Sequence, residues 1–363
     1  MSLNHAQTEA VAHNKGPCMV LAGPGSGKTL TIAKRIEYLI MKHKVRPEEI
    51  LVITFTKYAA WEMKNRTRSI CGPSSYAVTF GTFHGIYYGI LKWAYRLNQS
   101  NLLSDEEKYR ILREILPGID WDQEPEADEE KDYLQELAIE IGNVKNNCMD
   151  IEEYEPVKYT TEKFRKLYRT YEETKKKYRK IDFEDMLIQC RDLFMKRPDI
   201  LKKWQEKFQY ILVDEFQDVN QAQYDVVRML AAPQDNLFVV GDDDQSVYGF
   251  RGAKPGIMKE FMKDYPKARQ ILLDVNYRSS GYIVKGALRV IGNNKIRFEK
   301  KIEAFRKPDE TVHVQEVKDP VQEAEYVLER IREYREKGVS YTEMAVLYRT
   351  NVDARAMSEL MME

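Results

Sequence analysis

Short apolar, β-branched runs recur along the chain: CMVLA from Cys18, ILVIT from Ile50, YAVTF from Tyr76, YILVDE from Tyr210, LFVVGD from Leu237 and QILLD from Gln270. Runs without polar interruption are the pattern of strands buried on both faces, and so of a parallel sheet. Between the first two, Leu30, Ala33, Ile36 and Ile40 recur at helical spacing, which predicts a strand–loop–helix–strand unit. The expected fold class is α/β.

From about Tyr87 to Phe208 the strand signal disappears, and DYLQELAIEIGNVKNN and TTEKFRKLYRTYEETKKKYRK read as helices. A helical insertion is therefore expected inside the sheet domain, dividing the chain into 1–86 and 181–273 for the sheet and 87–180 for the insertion. The acidic stretch EPEADEEKD from Glu124 reads as a solvated loop or helix start. After Asp274 the pattern restarts with a helical stretch, a strand TVHVQEV, a helix VQEAEYVLERIREYREKG and a strand MAVLYR. Residues 274–363 are thus expected to open a second α/β domain, with too few strands to close a sheet covered on both faces.

Composition changes this picture little. With 363 residues, 43% of them hydrophobic, the chain can bury a substantial core. No apolar run of about 18 residues stands out to span a bilayer, and MSLNHAQTEAVAHNKG lacks the features of a signal peptide, so no membrane partner and a cytoplasmic location are expected. Cys18, Cys71, Cys148 and Cys190 are scattered, without the close pairing of a zinc or redox motif. A formal net charge of −1 makes no global case for nucleic acid, so any such site must be a local track on a neutral body.

The chemistry begins at AGPGSGKT, Ala22 to Thr29, between the first strand and the first helix. Gly23, Gly25, Ser26 and Gly27 form a loop whose backbone N–H groups can converge on phosphate oxygens at a helix N-terminus. Lys28 is expected to reach the β- and γ-phosphates, and Thr29 to hold Mg²⁺. YILVDEFQD ends a buried strand in Asp214 and Glu215. Acids at a strand end are often only caps, but beside a phosphate loop Asp214 is placed to hold Mg²⁺ through water and Glu215 to orient or deprotonate the attacking water.

Paired acids and a phosphate loop define a large class of kinases, GTPases and ATPases, so the remaining motifs must narrow it. LNHAQ, AGPGSGKT, TFTKYAAWEM, GTFH, VDEFQD, GDDDQSVYGFRGA and NYRSS stand in the order and rough spacing of the UvrD/Rep/PcrA family of superfamily 1 DNA helicases, which the chain resembles throughout, including IDFEDML from Ile181. The resemblance implies a RecA-like P-loop NTPase sheet, a helical insertion and the start of a second RecA-like domain. It implies ATP and Mg²⁺ as cofactors, with single-stranded DNA and single/double-strand junctions as partners, and 3′-to-5′ movement. By the same resemblance Gln7 would pair with adenine, Tyr277 stack on the base, Arg278 contact the γ-phosphate and Gln245 sense it.

The implied DNA track comprises Thr54, Phe55 and Thr56, Thr82 and His84, and Tyr248, Phe250 and Arg251, a mixture of aromatic platforms with hydroxyl and cationic groups suited to single strands. On the residues alone, Phe55 and Phe250 equally suit a core, and His84 a structural hydrogen bond. Ala22 stands where the general phosphate-loop pattern has Gly, as is common in the family; the chain departs from the family pattern at Leu30 for a basic residue, and at Lys57 and Tyr58 for Asn-Lys. The family's later motifs have no counterpart before Glu363, so weak turnover is expected of this chain alone, and a nucleotide-gated DNA-binding module is the rival reading. A small-molecule kinase would leave GDDDQS and the aromatic segments unexplained.

Overall fold

The computed structural model describes residues 3–119, 130–247, 249, 253–254, 256–295, 297–307, 311–350 and 352–362. The expected acidic loop at 124–129 lies outside the described residues, as do Tyr248, Phe250 and Arg251. Two compact units are present, Met1–Asp309 and Glu310–Glu363. Among the described residues no helix is long and apolar enough to cross a membrane.

In the first unit, β1 (Cys18–Ala22), β2 (Ile50–Thr54), β3 (Thr79–Thr82), β4 (Tyr210–Val213), β5 (Leu237–Gly241) and β6 (Arg269–Leu273) form one sheet in the order β3-β2-β4-β5-β1-β6. Every pairing is parallel. The four central strands are buried at every position, as their uninterrupted apolar runs require, whereas β3 and β6 lie at the edges and are partly exposed. The third strand starts at Thr79 rather than Tyr76, because a 3-10 turn at Gly72–Ser75 runs on through Tyr76, whose ring lies exposed under Arg68.

Alternate side chains divide between two cores. Cys18, Val20, Ala22, Val52, Leu212 and Val240 face one side, with Ala10 of α1 (His5–Ala12), Ile32, Ile36 and Leu39 of α2 (Lys28–Met41) and Met63 of α3 (Lys57–Cys71). Met19, Leu21, Ile53, Val213 and Val239 face the other, against Phe83, Tyr87, Ile90 and Leu91 of α4 (Phe83–Tyr95). A third core, from Leu103 to Tyr171, belongs to α5 (Asp105–Ile115), α6 (Glu130–Asn146) and α7 (Thr161–Lys177). The insertion therefore has its own apolar centre from Leu103 on, while α4 packs with the sheet.

A buried cluster of charges helps to tie the insertion to the sheet layer. Asp182 caps α8 (Phe183–Lys196) and forms a reciprocal capping box with Asp185. Lys145 of α6 lies 2.8 Å from both carboxylates, and Lys175 of α7 lies 2.8 Å from Asp182 and 2.5 Å from Asp185. Tyr171 donates to Asp182 at 3.1 Å, and Glu172 pairs with both lysines. Breaking such a buried network by removing one partner costs about 3–5 kcal/mol, since the survivors keep their desolvation penalty. The helices α9 (Pro198–Lys207), α10 (Gln221–Ala231) and α11 (Ile257–Asp264) follow.

After β6 the structure differs from the sequence expectation. Val275–Ser280 is a strand, β7, and the expected helix starts only at Gly281 (α12, Gly281–Ile291). β7 pairs in parallel with β8 (Glu303–Arg306), giving a second, two-stranded sheet joined through α12. The second unit holds α13 (Pro320–Glu336) and α14 (Arg355–Met362), packed together. TVHVQEV and MAVLYR do not form strands: among the described residues neither pairs with a neighbour, and Val314 and Leu347 are almost wholly exposed. An apolar alternation is realised as β structure only where another strand offers its backbone groups.

Candidate active site and DNA-facing cleft

Apart from LNHAQ, which lies at α1 before the first strand, the motif loops emerge from the carboxyl ends of the parallel strands, where an open α/β sheet binds ligands. The phosphate loop follows β1 and passes directly into α2, whose first residue is Lys28. Gly25 and Gly27 have φ of 66° and 84°, the left-handed region that favours glycine. Gly25 is also crowded: a Cβ there would stand 2.6 Å from Cβ of Arg278 and 2.9 Å from Oδ1 of Asn276. The Tyr277 N–H donates to the Gly25 carbonyl at 2.9 Å. The NYRSS strand thus rests on the phosphate loop and brings Tyr277 and Arg278 to that loop. Arg278 itself is exposed.

The residues expected to meet adenine lie close to this loop as well. Gln7 is buried, and its Nε2 donates to the Ser26 carbonyl at 2.9 Å while its Oε1 accepts from the Asn4 N–H at 3.0 Å. One amide hydrogen and one oxygen lone pair are left after these two bonds. Asn4, to which the sequence analysis gave no role, donates from Nδ2 to the Tyr277 hydroxyl at 2.9 Å. The Tyr277 ring also lies 5.1 Å from that of Phe305.

Lys28 and Glu215 meet across the phosphate loop at 2.9 Å. Glu215 adopts a left-handed backbone, with φ of 49°, a conformation costly for a residue with a Cβ and often found at functional sites. Beside it Asp214 is buried, and burial together with the Glu215 charge pushes its carboxyl up to about 7, against the pull of Lys28. Asp218 is raised to about 6, again by burial and then by Glu215. Thr29 is the second residue of α2. A buried acid with so high a proton affinity, next to a glycine loop and a helix N-terminus, suits a site that receives a cation and phosphates together. The residues present therefore fit Mg·ATP.

Gln217 connects the acids to the next loop, a role the sequence analysis missed although it quoted the motif. Its Nε2 donates to Glu215 at 2.9 Å, and its Oε1 accepts from the Asp242 N–H at 3.0 Å. Asp242 in turn accepts from Gln245 Nε2 at 2.7 Å. Asn276 was also missed. It is buried, and its Oδ1 accepts from the N–H groups of Arg278 and Ser279 at 2.9 and 2.8 Å, shaping the turn of β7 on the phosphate loop.

Of the expected DNA residues, the described ones, Thr54, Phe55, Thr56, Thr82 and His84, lie toward the other end of the same edge. Thr54 and Thr82 are register partners at the ends of β2 and β3. Their hydroxyls and that of Thr56 serve local structure: Thr54 donates to the Thr56 carbonyl, Thr56 caps α3 and Thr82 caps α4. Phe55 and His84 face a common cleft of about 590 Å³, walled by Phe183 and Glu184 of α8 and by Tyr109, Ile139 and Asn143 of the insertion. The His84 ring lies 5.1 Å from that of Phe183, and burial lowers its pKa while Glu184 opposes the shift.

Comparison with known proteins decides between the classes that a phosphate loop leaves open. Residues 3–266 match the model of the UvrD/REP helicase N-terminal domain, and 271–363 match that of the UvrD-like helicase C-terminal domain. The chain belongs to the UvrD/Rep helicase family. It is 40% identical to the putative ATP-dependent DNA helicase YjcD of Bacillus subtilis (strain 168), an alignment covering 99% of this chain and 47% of that protein. It is 36% identical to the ATP-dependent DNA helicase PcrA of Staphylococcus aureus, over 99% of this chain and 50% of the relative. The PcrA of Staphylococcus epidermidis is 35% identical, over 100% and 50%. The chain spans about half the length of the curated relatives it matches.

Proposed function

We propose that this chain supplies the ATP site and part of the DNA path of an ATP-driven motor that moves 3′-to-5′ on single-stranded DNA and opens single/double-strand junctions. The observation that carries the reading is the meeting of Lys28 and Glu215 at 2.9 Å on a phosphate loop against which Tyr277 and Arg278 are seated. In this reading Lys28 leaves Glu215 for the β- and γ-phosphates. Thr29, and Asp214 through water, would hold the magnesium ion, and the freed Glu215 carboxylate would orient the attacking water and take up its proton. Mg·ATP, when bound, supplies the phosphoanhydride and the positive charge that favours ionised Asp214. Gln245 and Arg278 would meet the γ-phosphate, and Gln217 would link the acids to the Gln245 loop.

Phe55 and His84 face the DNA in their cleft, joined by Thr54, Thr56 and Thr82 and by the expected Tyr248, Phe250 and Arg251. The insertion forms the far wall of that path. For the 363 residues on their own we propose binding of ATP and DNA with slow turnover. In this reading Arg278 is the arginine that meets the γ-phosphate, and phosphoryl transfer that lacks one arginine finger slows by about 10³–10⁵.

Single-turnover phosphate release with and without oligo-dT tests the reading. Stimulation by the single strand is expected, together with salt-sensitive binding that Phe55→Ala weakens by about 1–3 kcal/mol, the worth of one stacked base. Binding without any stimulation would favour a nucleotide-gated binding module, and equal affinity for blunt duplex would contradict the DNA path. Gln7 offers a separate check through its remaining donor and acceptor. Gln7→Ala is expected to narrow the preference for ATP over GTP by several-fold, at about 0.5–1.5 kcal/mol per hydrogen bond. Parent protein that binds both nucleotides equally would refute that role.

A further inference from the structure

The GDDDQ loop after β5 places three carboxylates together: oxygens of Asp242, Asp243 and Asp244 lie within 4.8 Å of one another. The space between them is filled by Lys300, whose ammonium stands 2.5, 2.6 and 2.7 Å from Asp242, Asp243 and Asp244. Its side chain is only 1% exposed. The same segment adds Arg297, bidentate to Asp244 at 2.7 and 2.5 Å, and the Phe298 N–H, which donates to Asp243 at 2.7 Å. Each acid of the loop is thus held from residues 297–300.

The Asp242 carboxylate is shared. Lys300 takes one of its oxygens, and Gln245 donates its side-chain amide to the other at 2.7 Å. The Gln245 N–H also donates to the Asp242 carbonyl at 2.9 Å. Where Gln245 points therefore depends on where Asp242 stays, and of the cations at the loop Lys300 is the one that touches Asp242 and stands among all three acids, offsetting their repulsion. Two residues after Lys300, Ile302 braces the other side of the site: its Cδ1 lies 3.0 Å from where a Cβ of Gly23 would be. One short segment thus presses on both the phosphate loop and the loop of the γ-phosphate sensor.

We propose that Lys300 is a positioning residue for the ATPase reaction, a built-in counter-cation that holds the loop after β5, and with it Gln245, in place to meet the γ-phosphate. The proposal rests on the ATPase reading above. Without the ammonium, mutual repulsion of the carboxylates spreads the loop and turns the Gln245 amide away, whereas the phosphate loop, Lys28 and the adenine corner keep their own contacts. Lys300 therefore governs discrimination between triphosphate and diphosphate more than nucleotide binding as such.

The test is calorimetric, on the whole chain, with ADP and with the β,γ-imido analogue of ATP, so that no turnover is needed. The parent is expected to prefer the analogue by about tenfold or more, the worth of a hydrogen bond to a charged group. Lys300→Met is expected to reduce that preference to within about twofold with ADP affinity nearly unchanged, and Lys300→Arg, which keeps the charge, to retain most of it. Should Lys300→Met fail to fold, the same variant combined with Asp243→Asn, which removes one stranded carboxylate, is measured in its place. A preference that survives the loss of Lys300, an equal loss of affinity for both nucleotides, or a Lys300→Arg variant as impaired as Lys300→Met would overturn the proposal. Parent protein that binds neither nucleotide would instead remove the ATPase reading itself.

Discussion

Lys28→Ala is expected to lower Mg·ATP affinity roughly 10- to 100-fold while the thermal transition stays within about 1 kcal/mol of the parent. The first half follows from chemistry: an ammonium on phosphate oxygens makes charge-assisted hydrogen bonds, each worth about 1.5–3 kcal/mol when the alternative is an unpaired anion in a partly buried site. The second half follows from geometry. Lys28 opens a helix beside a loop, and the side chains of its ion pair with Glu215 are 13% and 35% exposed, so water can reach the carboxylate once the contact is lost. Ion pairs open to solvent contribute about 0–1 kcal/mol to stability. Calorimetry with ATP and a melting curve measure the two halves separately. Unchanged ATP affinity would remove Lys28 from the phosphate site, and a collapsed melting curve would show that the pair with Glu215 holds the fold.

Asp214→Asn is expected to do two opposite things: cut Mg²⁺-dependent phosphate release by on the order of 10²–10³-fold, and raise the melting temperature at neutral pH. Both come from the same carboxyl. Buried and facing Glu215, it is raised from an ordinary value near 3.8 to about 7. Below about pH 4 it is neutral in folded and unfolded chains alike and contributes no pH dependence. As the pH rises from there to about 7, the unfolded chain gives up its proton and the folded chain keeps it, so unfolding is progressively favoured. The loss levels off above pH 7, at about 4 kcal/mol at most. An asparagine carries no such proton. The variant should therefore melt several degrees above the parent at pH 8 and together with it near pH 4. A variant less stable than the parent at pH 8 would mean that the carboxylate is compensated in the free protein.

The central strands were legible in the sequence because burial on both faces leaves no room for polar residues. CMVLA, ILVIT, YILV and LFVVG could scarcely be anything else. Where a strand lies at an edge the signal weakens, and YAVTF was placed three residues early. TVHVQEV and MAVLYR carry the same alternation as true strands yet stay unpaired, since pairing depends on a neighbour that no local pattern encodes. The site divides in a similar way. Lys28, Asp214 and Glu215 announce themselves because their chemistry is tied to a strand end or a helix start. Asn4 and Gln217 act through hydrogen bonds to Tyr277 and Asp242, far along the chain or on another loop, and Asn276 through two bonds to the backbone just after it, although each stands inside a recognisable motif. Lys300 and Arg297 gave no signal at all. They lie in the run KIRFEKK, where one basic residue looks like another, and Lys300 meets Asp242 across 58 residues of sequence. The buried joint of Lys145 and Lys175 with Asp182 and Asp185 was hidden for the same reason.

Those buried lysines also make the molecule its own reporter of opening. An amine-reactive label requires an accessible and unprotonated amine, and Lys145, Lys175 and Lys300 have side chains only 4%, 2% and 1% exposed. Burial favours the neutral form of Lys145 and Lys300, but the facing carboxylates outweigh it and keep both protonated beyond the usual lysine range. In the native state the surface lysines take the label first and these three stay blank. Whichever of them is then modified records which seam has parted: Lys300 for the nucleotide-sensing loop, Lys145 and Lys175 for the joint between the insertion and the sheet layer. Peptide mass mapping over time would read those two openings separately, without any probe being engineered into the chain.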